Sequence, residues 1–291
     1  MSLGSKINGT FRRFMYDHFH EDIIDSDWLI WKGCKVDWDN PRDINEKIQW
    51  LMCRSDTSRW TVLSDKLRVR DFVASKGFGD LLVPLLGVWD HARDIDFDSL
   101  PDKFVMKCNH DSGSYRFVDK SQGFDPDALR AHFSRCLKRK YGYSNGELHY
   151  NPIRPKVLAE PMLASDKSIV DYKVRCFCGK PVSIVTCSER TEHTTSLDMF
   201  DTDWNPHPEA LVFTHGFIDG QGRLPRPACL DRMLEASTVL SEGFPQVRVD
   251  FYVVGEKLYF GEMTFSSAGG RMAYFTDEQL VEQGRLCVLP K

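Results

Sequence analysis

Two acids near the end of the chain, Asp250 and Glu262, lie in runs that read as paired strands. The runs are Arg248-Val249-Asp250-Phe251 and, after a short turn, Tyr259-Phe260-Gly261-Glu262-Met263-Thr264. Side chains alternate faces along a strand, so Arg248 and Asp250 share one face, and Phe260 and Glu262 share one face of the partner. Register decides whether the acids meet. A three-residue connection, Gly255-Glu256-Lys257, sets Val254 opposite Leu258 and therefore Asp250 opposite Glu262; a slip of one residue sends Glu262 to the other face. Opposed carboxylates repel unless a cation lies between them. One or two carboxylates that leave room for phosphate oxygens and water are what magnesium takes in nucleotide sites. Arg248 beside them would neutralise phosphoryl charge. On this motif alone, an exposed hairpin with scattered charges is the competing reading.

A second chemical signal is Lys107, alone in the apolar strand Phe104-Val105-Met106-Lys107-Cys108. Such a lysine needs an anionic partner or an exit to solvent; an edge-strand position is the bland alternative. Cys108 and His110 flank the turn that follows and have no third orienting group, which argues against a nucleophile. The spacing of His193, His207 and His215 fits no metal template, and the nine cysteines contain no CxxC pair or zinc-like spacing.

The elements that must position these groups follow from periodicity and turn chemistry. Residues 7–60 read as helical and aromatic-rich, with Phe11, Phe14, Met15 and Phe19, then Ile44, Ile48 and Leu51, at helical spacing. Leu63 to Lys76 reads as one amphipathic helix stopped at Gly77, and Leu81 to Val88 as a short strand. The strand ending at Lys107-Cys108 turns through the polar run Asn109 to Ser114 into a second strand, Tyr115 to Val118. Ala128 to Lys140 is a helix with a solvated basic face. Three strands follow, Val157 to Met162, Asp171 to Cys178 and Pro181 to Cys187, with Gly179-Lys180 as the turn between the last two. Thr191 to Gly222 has few periodic signals and is expected to be a substrate-facing loop. Leu230 to Ser241 is a helix leading into the final hairpin. Strands and helices mix without regular βαβ alternation, which points to an α+β fold with antiparallel sheets.

Composition limits the function classes. At 291 residues the chain can bury a sizeable core, and 42% hydrophobic with 27% charged residues is ordinary for a globular protein. No run approaches the length needed to span a bilayer, the polar residues 1–13 lack a signal core, and the unpaired cysteines suit a cytoplasmic location. A formal charge of −4 gives no global attraction to nucleic acid. Any phosphate site must be local.

The order of motifs then resembles ATP-grasp enzymes. Their terminal metal-binding hairpin is similar to Arg248 through Phe251 followed by Phe260-Gly261-Glu262-Met263-Thr264-Phe265-Ser266-Ser267-Ala268-Gly269-Gly270. Upstream, Ser64-Asp65-Lys66-Leu67-Arg68-Val69-Arg70, Lys107, Leu158-Ala159-Glu160-Pro161 and Asp171-Tyr172-Lys173-Val174-Arg175 agree in order. Asn45 to Trp50, Pro84 to Trp89 and Lys107-Cys108-Asn109-His110 look like the TupA-like ATP-grasp family, linked to bacterial surface polysaccharide and teichuronopeptide synthesis. Several ordered motifs weigh more than any one of them.

The resemblance implies an ATP-grasp fold of two α+β subdomains clasping a nucleotide. The expected division is a helical region at 1–95, a lid subdomain at 96–160 and a second subdomain at 161–291 carrying the hairpin. It implies ATP and Mg2+ as cofactors. Lys107 and the loop Asn109, Gly113 and Ser114 would lie on phosphates, Glu160 near the adenine edge, and Asp171 and Lys173 near ribose and phosphate. Arg190 would be aimed at the acyl-phosphate and Arg248 at phosphoryl charge, as the two catalytic residues, and Asp250, Glu262 and Thr264 would hold the metal. Thr264 departs from the Glu-x-Asn pattern, replacing an amide ligand with a hydroxyl, and the proline expected before the closing glycine is absent from Ala268-Gly269-Gly270. The implied reaction joins a small-molecule amine to a carboxylate, such as a uronic acid of a glycan. A phosphotransferase or glycosyltransferase-like enzyme and a nucleotide-binding module without turnover stay open as alternatives.

Overall fold

The structure is a computed structural model and describes residues 9–163, 169–214 and 216–290. The polar residues 1–8 and His215 lie outside them. Helices α1 (Gly9–His18) and α2 (His20–Lys32) lead to α3 (Ile44–Arg54). A capping box starts α3: the Asp43 carboxylate accepts the Glu46 amide at 2.8 Å, and the Glu46 carboxylate accepts the Asp43 amide at 3.3 Å. Ile44, Ile48 and Leu51, one helical stripe, are buried.

The single helix expected over Leu63 to Lys76 is two, α4 (Ser58–Ser64) and α5 (Arg68–Ser75). Asp65 makes the break. Its carboxylate accepts the Leu67 amide at 2.9 Å and the Arg68 amide at 3.4 Å, so it caps α5 and competes with continuation of α4. The break leaves Lys66 outside either helix.

A four-stranded sheet in the order β1-β4-β2-β3 combines β1 (Gly87–Trp89), β2 (Lys103–Cys108), β3 (Arg116–Asp119) and β4 (Val157–Pro161), all antiparallel. The strand expected from Leu81 shrinks to β1, because Pro84 interrupts the run and residues Gly79–Leu81 form a 3-10 turn. This sheet thus draws in residues ahead of position 96. Helix α6 (Pro126–Cys136) covers it, with Phe133 and Cys136 against Phe104, Met106, Val118 and Val157.

The second sheet has six strands, ordered β10-β9-β5-β6-β7-β8: β5 (Val170–Phe177), β6 (Lys180–Ser188), β7 (Thr195–Asp201), β8 (Phe217–Asp219), β9 (Gln246–Val254) and β10 (Lys257–Thr264). Among the described strands, β7 and β8 pair in parallel and the other pairs are antiparallel. Helices α7 (Leu230–Leu240) and α8 (Asp277–Leu286), with α3, α4 and α5, share the large core on this sheet. The tight turn from β5 to β6 is Cys178-Gly179, one residue earlier than expected. Both residues take positive φ, 48° and 79°, as the turn that matches strand twist requires. The segment expected as a loop, Thr191 to Gly222, contains β7 and β8. Polar side chains hid β7: Ser196 and Asp198 are buried in it, and Asp198 accepts the Gly222 amide at 2.7 Å.

The β9–β10 register brings Asp250 opposite Glu262 by a route other than the expected one. The turn has two residues, not three: Val254 pairs with Lys257, Val253 with Leu258 and Phe251 with Phe260. Continued, that register would set Asp250 against Gly261 and turn Glu262 to the opposite face. A β-bulge between Phe260 and Glu262 absorbs Gly261 and restores Asp250 opposite Glu262. A Cβ on Gly261 would sit 3.0 Å from the Asp250 carbonyl oxygen and 3.2 Å from the Tyr252 ring. Gly261→Val is therefore expected to lower stability by about 1–3 kcal/mol and to weaken any ligand held jointly by the two acids. Denaturant midpoints with a binding titration check this, and an unchanged pair of values would remove the bulge from the account.

The 3-10 turn Leu148–Tyr150 docks on α4: Thr61 Oγ1 donates to the His149 carbonyl at 2.7 Å, and the Trp60 ring meets the imidazole edge-on at 5.5 Å. Burial holds the imidazole pKa down at about 3, against 6.5 unperturbed. In the unfolded chain it protonates first as pH falls, so this contribution is intact above about 6.5 and is lost progressively toward 3. At about pH 5 the loss is on the order of 2 kcal/mol. His149→Gln should show a correspondingly smaller drop in unfolding free energy between about pH 7 and about pH 5; an equal drop would show that the acid sensitivity arises elsewhere.

Candidate functional site

Charged side chains cross the six-stranded sheet in a continuous line. At its centre, Asp250 accepts from Arg248 through both oxygens, Nε to Oδ1 at 2.7 Å and Nη2 to Oδ2 at 2.7 Å, and from Lys173 Nζ at Oδ2, 3.0 Å. Lys173 lies directly across from Asp250 in the β5–β9 register, so the contact follows from strand pairing. Lys173 Nζ also lies 3.4 Å from Asp171, whose carboxylate pairs with Arg190 from the loop after β6. On the other side Arg248 Nη2 donates to Thr264 Oγ1 at 3.1 Å and approaches Glu262 at 3.7 Å; Thr264 Oγ1 donates to Glu262 at 3.3 Å.

The acids differ in access. The Asp250 side chain is 5% exposed and the Glu262 side chain 38%. Burial alone would raise the Asp250 pKa, but the charges and hydrogen bonds of Arg248 and Lys173 outweigh it and hold the carboxyl below its ordinary value. The same balance runs through Glu262, where burial is outweighed first by Lys66 and the pKa is also lowered. Lys173 is raised: burial works against its charge, and Asp250 more than compensates. Arg248 is likewise raised, against burial, by Asp250. All four groups are therefore charged at neutral pH.

The four-stranded sheet supplies the facing half. Lys107 Nζ on β2 lies 2.6 Å from the Glu160 carboxylate on β4, so the lysine expected to need an anion has one, and these two residues neutralise each other. Glu160 also reaches the field of the second sheet. The half-buried Tyr252 phenol is pushed well above its ordinary pKa, first by burial and then by the charges of Asp171, Glu262, Asp250 and Glu160.

The structure places the three loop residues of the expected set as follows. Asn109 is buried, and its amide is committed to the fold: Nδ2 donates to Asp65 at 2.9 Å and to the Arg154 carbonyl at 3.1 Å, and Oδ1 accepts the Lys156 amide at 2.7 Å. Ser114 Oγ donates to Asp111 at 2.5 Å and accepts the Cys108 amide at 2.9 Å, again closing the loop. Gly113 sits at its exposed tip with φ +83° and open space around it, leaving only its backbone to meet a ligand.

One residue at the centre was absent from the expected set. Lys66 Nζ donates to the Asp111 carbonyl at 2.8 Å and lies 3.5 Å from Glu262, linking the loop above the first sheet to the hairpin of the second. Its signal was the polar Ser64-Asp65-Lys66 interruption of a helical pattern. Along this line run four cations, Lys66, Lys173, Arg190 and Arg248, and three anions, Asp171, Asp250 and Glu262. The excess is one positive charge in a chain whose formal charge is −4. A line of side chains with that excess suits an anion.

Comparison with known proteins bears on the fold and the family. A family model described as "TupA-like ATPgrasp" matches residues 46–284. No curated protein matches the chain significantly. Among solved structures, D-alanine–D-alanine ligase from Bacillus anthracis is 14% identical, covering 78% of this chain and 67% of its own, with a TM-score of 0.44. L-amino acid ligase from Bacillus licheniformis is 12% identical over 93% of this chain and 62% of that one, with a TM-score of 0.49. Both likenesses are distant, and the family match over most of the chain is what decides: this α+β chain has the ATP-grasp fold and belongs to the TupA-like ATP-grasp family.

Proposed function

We propose that the chain is an ATP-dependent carboxylate–amine ligase, with the nucleotide phosphates between Lys107 on the first sheet and Arg248, Lys173 and Lys66 on the second. The charge line with its positive excess is the observation that carries the reading, because transfer of a phosphoryl group asks of a protein mainly positioning and charge neutralisation. In the reaction a substrate carboxylate oxygen attacks the γ-phosphorus and ADP leaves. The amine nitrogen then attacks the acyl carbon, phosphate leaves, and the proton from nitrogen passes to solvent. No nucleophile from the enzyme is needed.

The oxygen donors suit magnesium. Asp250 has about four acceptor positions, of which Arg248 and Lys173 take three, so one remains on Oδ1. Glu262 is open to solvent on one side, and Thr264 adds a hydroxyl. These three would hold the ion, which when bound would neutralise phosphate charge. Polyphosphate offers Arg248 and Lys173 a competing anion, which would loosen their hold on Asp250 and free it further.

We assign the substrates to a carboxylate of a surface glycan, such as a uronic acid, and an amino acid or peptide amine; membership of the TupA-like family supports this part. The need for ATP favours a cytoplasmic site of action, and among the described residues no helix is long and apolar enough to cross a membrane. The test is product analysis with amino acids paired with uronic acids. ADP and free phosphate should form only when carboxylate and amine are both present. ADP with phosphate retained on the acceptor would instead establish a phosphotransferase, and no turnover with any pair would favour a binding module.

A further inference from the structure

Beneath the loop that carries Asn109 and Ser114, three potential metal ligands converge from three elements. Cys108 ends β2, Asp111 lies in the loop, and Cys136 ends α6; their ligand atoms all lie within 4.8 Å of one another, and all three residues are buried. Buried thiols often pack as small apolar groups, and Cys108 and Cys136 do share a core with Phe104, Met106 and Phe133. A carboxylate among them is not explained by packing. The Asp111 side chain is 0% exposed. Ser114 fixes its Oδ1, while Oδ2 has no hydrogen bond among the described residues and lies 3.8 Å from Arg139 Nη1. Leaving a buried carboxylate oxygen without a hydrogen bond is costly.

We propose that Cys108, Asp111 and Cys136 bind a divalent cation that accepts thiolate ligands, zinc being the natural occupant. Two thiolates and one carboxylate are a donor set that zinc takes with solvent or a further ligand in fourth place. Binding releases two thiol protons to solvent. The bound complex carries one net negative charge, and Arg139 stands beside it. His132, one turn before Cys136 on α6, has Nε2 3.5 Å from the Cys136 sulfur. Its Nδ1 lies 3.1 Å from the Arg116 guanidinium, which can only donate, so the ring proton is on Nε2. His132 is thus a positioning residue, aiming an N–H at the sulfur and at the Ser114 carbonyl, 3.0 Å away. The ion would staple the loop to α6, and through the Asp111 carbonyl it would fix Lys66 against Glu262. It is separate from the magnesium site and independent of the ligase reading.

Chelator-treated full-length protein titrated with Co2+ should develop a sulfur-to-cobalt charge-transfer band that saturates near one equivalent and is displaced by Zn2+. Asp111→Asn should weaken Co2+ binding about tenfold or more, and Cys136→Ser should abolish the band, whereas a Cys34→Ser/Cys178→Ser double variant, which alters only exposed thiols, should keep it. For a case where the core variants do not fold, metal content of the wild type purified from cells supplied with zinc is read by native mass spectrometry, with one zinc per chain expected. A band lost with the exposed cysteines, or no bound metal in either experiment, would overturn the proposal.

Discussion

Asp250→Asn is expected to cost about 3–5 kcal/mol of folding stability and to lower ATP turnover about 10²–10³-fold. The carboxylate contacts two cations whose side chains are themselves little exposed, Arg248 at 13% and Lys173 at 19%. An amide keeps the shape of the group but not its charge. It would leave two neighbouring, little-exposed cations with only their longer contacts, Lys173 to Asp171 at 3.4 Å and Arg248 to Glu262 at 3.7 Å, which approaches the costly outcome of breaking a buried ion pair. Turnover falls because both cations, now repelling each other, lose the geometry that phosphates require. Urea unfolding and ADP release on the folded fraction measure the two effects. A variant as stable as the wild type would mean that solvent, not Asp250, balances Arg248 and Lys173.

Glu262→Gln should separate the same two quantities. Its carboxylate is open to solvent on one side and paired loosely, at 3.5 Å to Lys66 and 3.7 Å to Arg248. Such pairs contribute about 0–1 kcal/mol, so stability should hardly move. Turnover is expected to fall on the order of 10²–10³-fold, because the most accessible oxygen donor of the proposed magnesium site is gone. Activity kept at the wild-type level would assign the metal elsewhere. The contrast between a buried anchor and an exposed ligand is sharper than either substitution alone.

The hairpin was legible because alternation of apolar and charged residues from Arg248 to Thr264 can be satisfied only by strands. Its register was not, since the two-residue turn and the bulge at Gly261 are errors of opposite sign that cancel; a glycine inside a strand was the available hint. The helix break at Asp65 was hidden by a periodic apolar pattern that continues across it. Lys66 owes its place to that break, and so went unassigned. Strand β7 escaped because its buried positions include Ser196 and Asp198, residue types that read as turn formers. Asn109 and Ser114 have the polarity of ligand-binding residues, but their partners, Asp65, Asp111 and the backbone of Arg154 and Lys156, are distant or irregular in sequence. Pairings set by strand register, such as Lys173 with Asp250, were within reach; pairings set by loop paths were not.

The two sheets are proposed to form one Mg-nucleotide site. Calorimetric titration with a non-hydrolysable ATP analogue tests it most directly, with Mg2+ and with chelator, on the wild type, Lys107→Met from the first sheet and Glu262→Gln from the second. Binding that needs Mg2+ and weakens by about tenfold or more in each variant is the predicted result. Binding indifferent to Mg2+ and to both substitutions would contradict it.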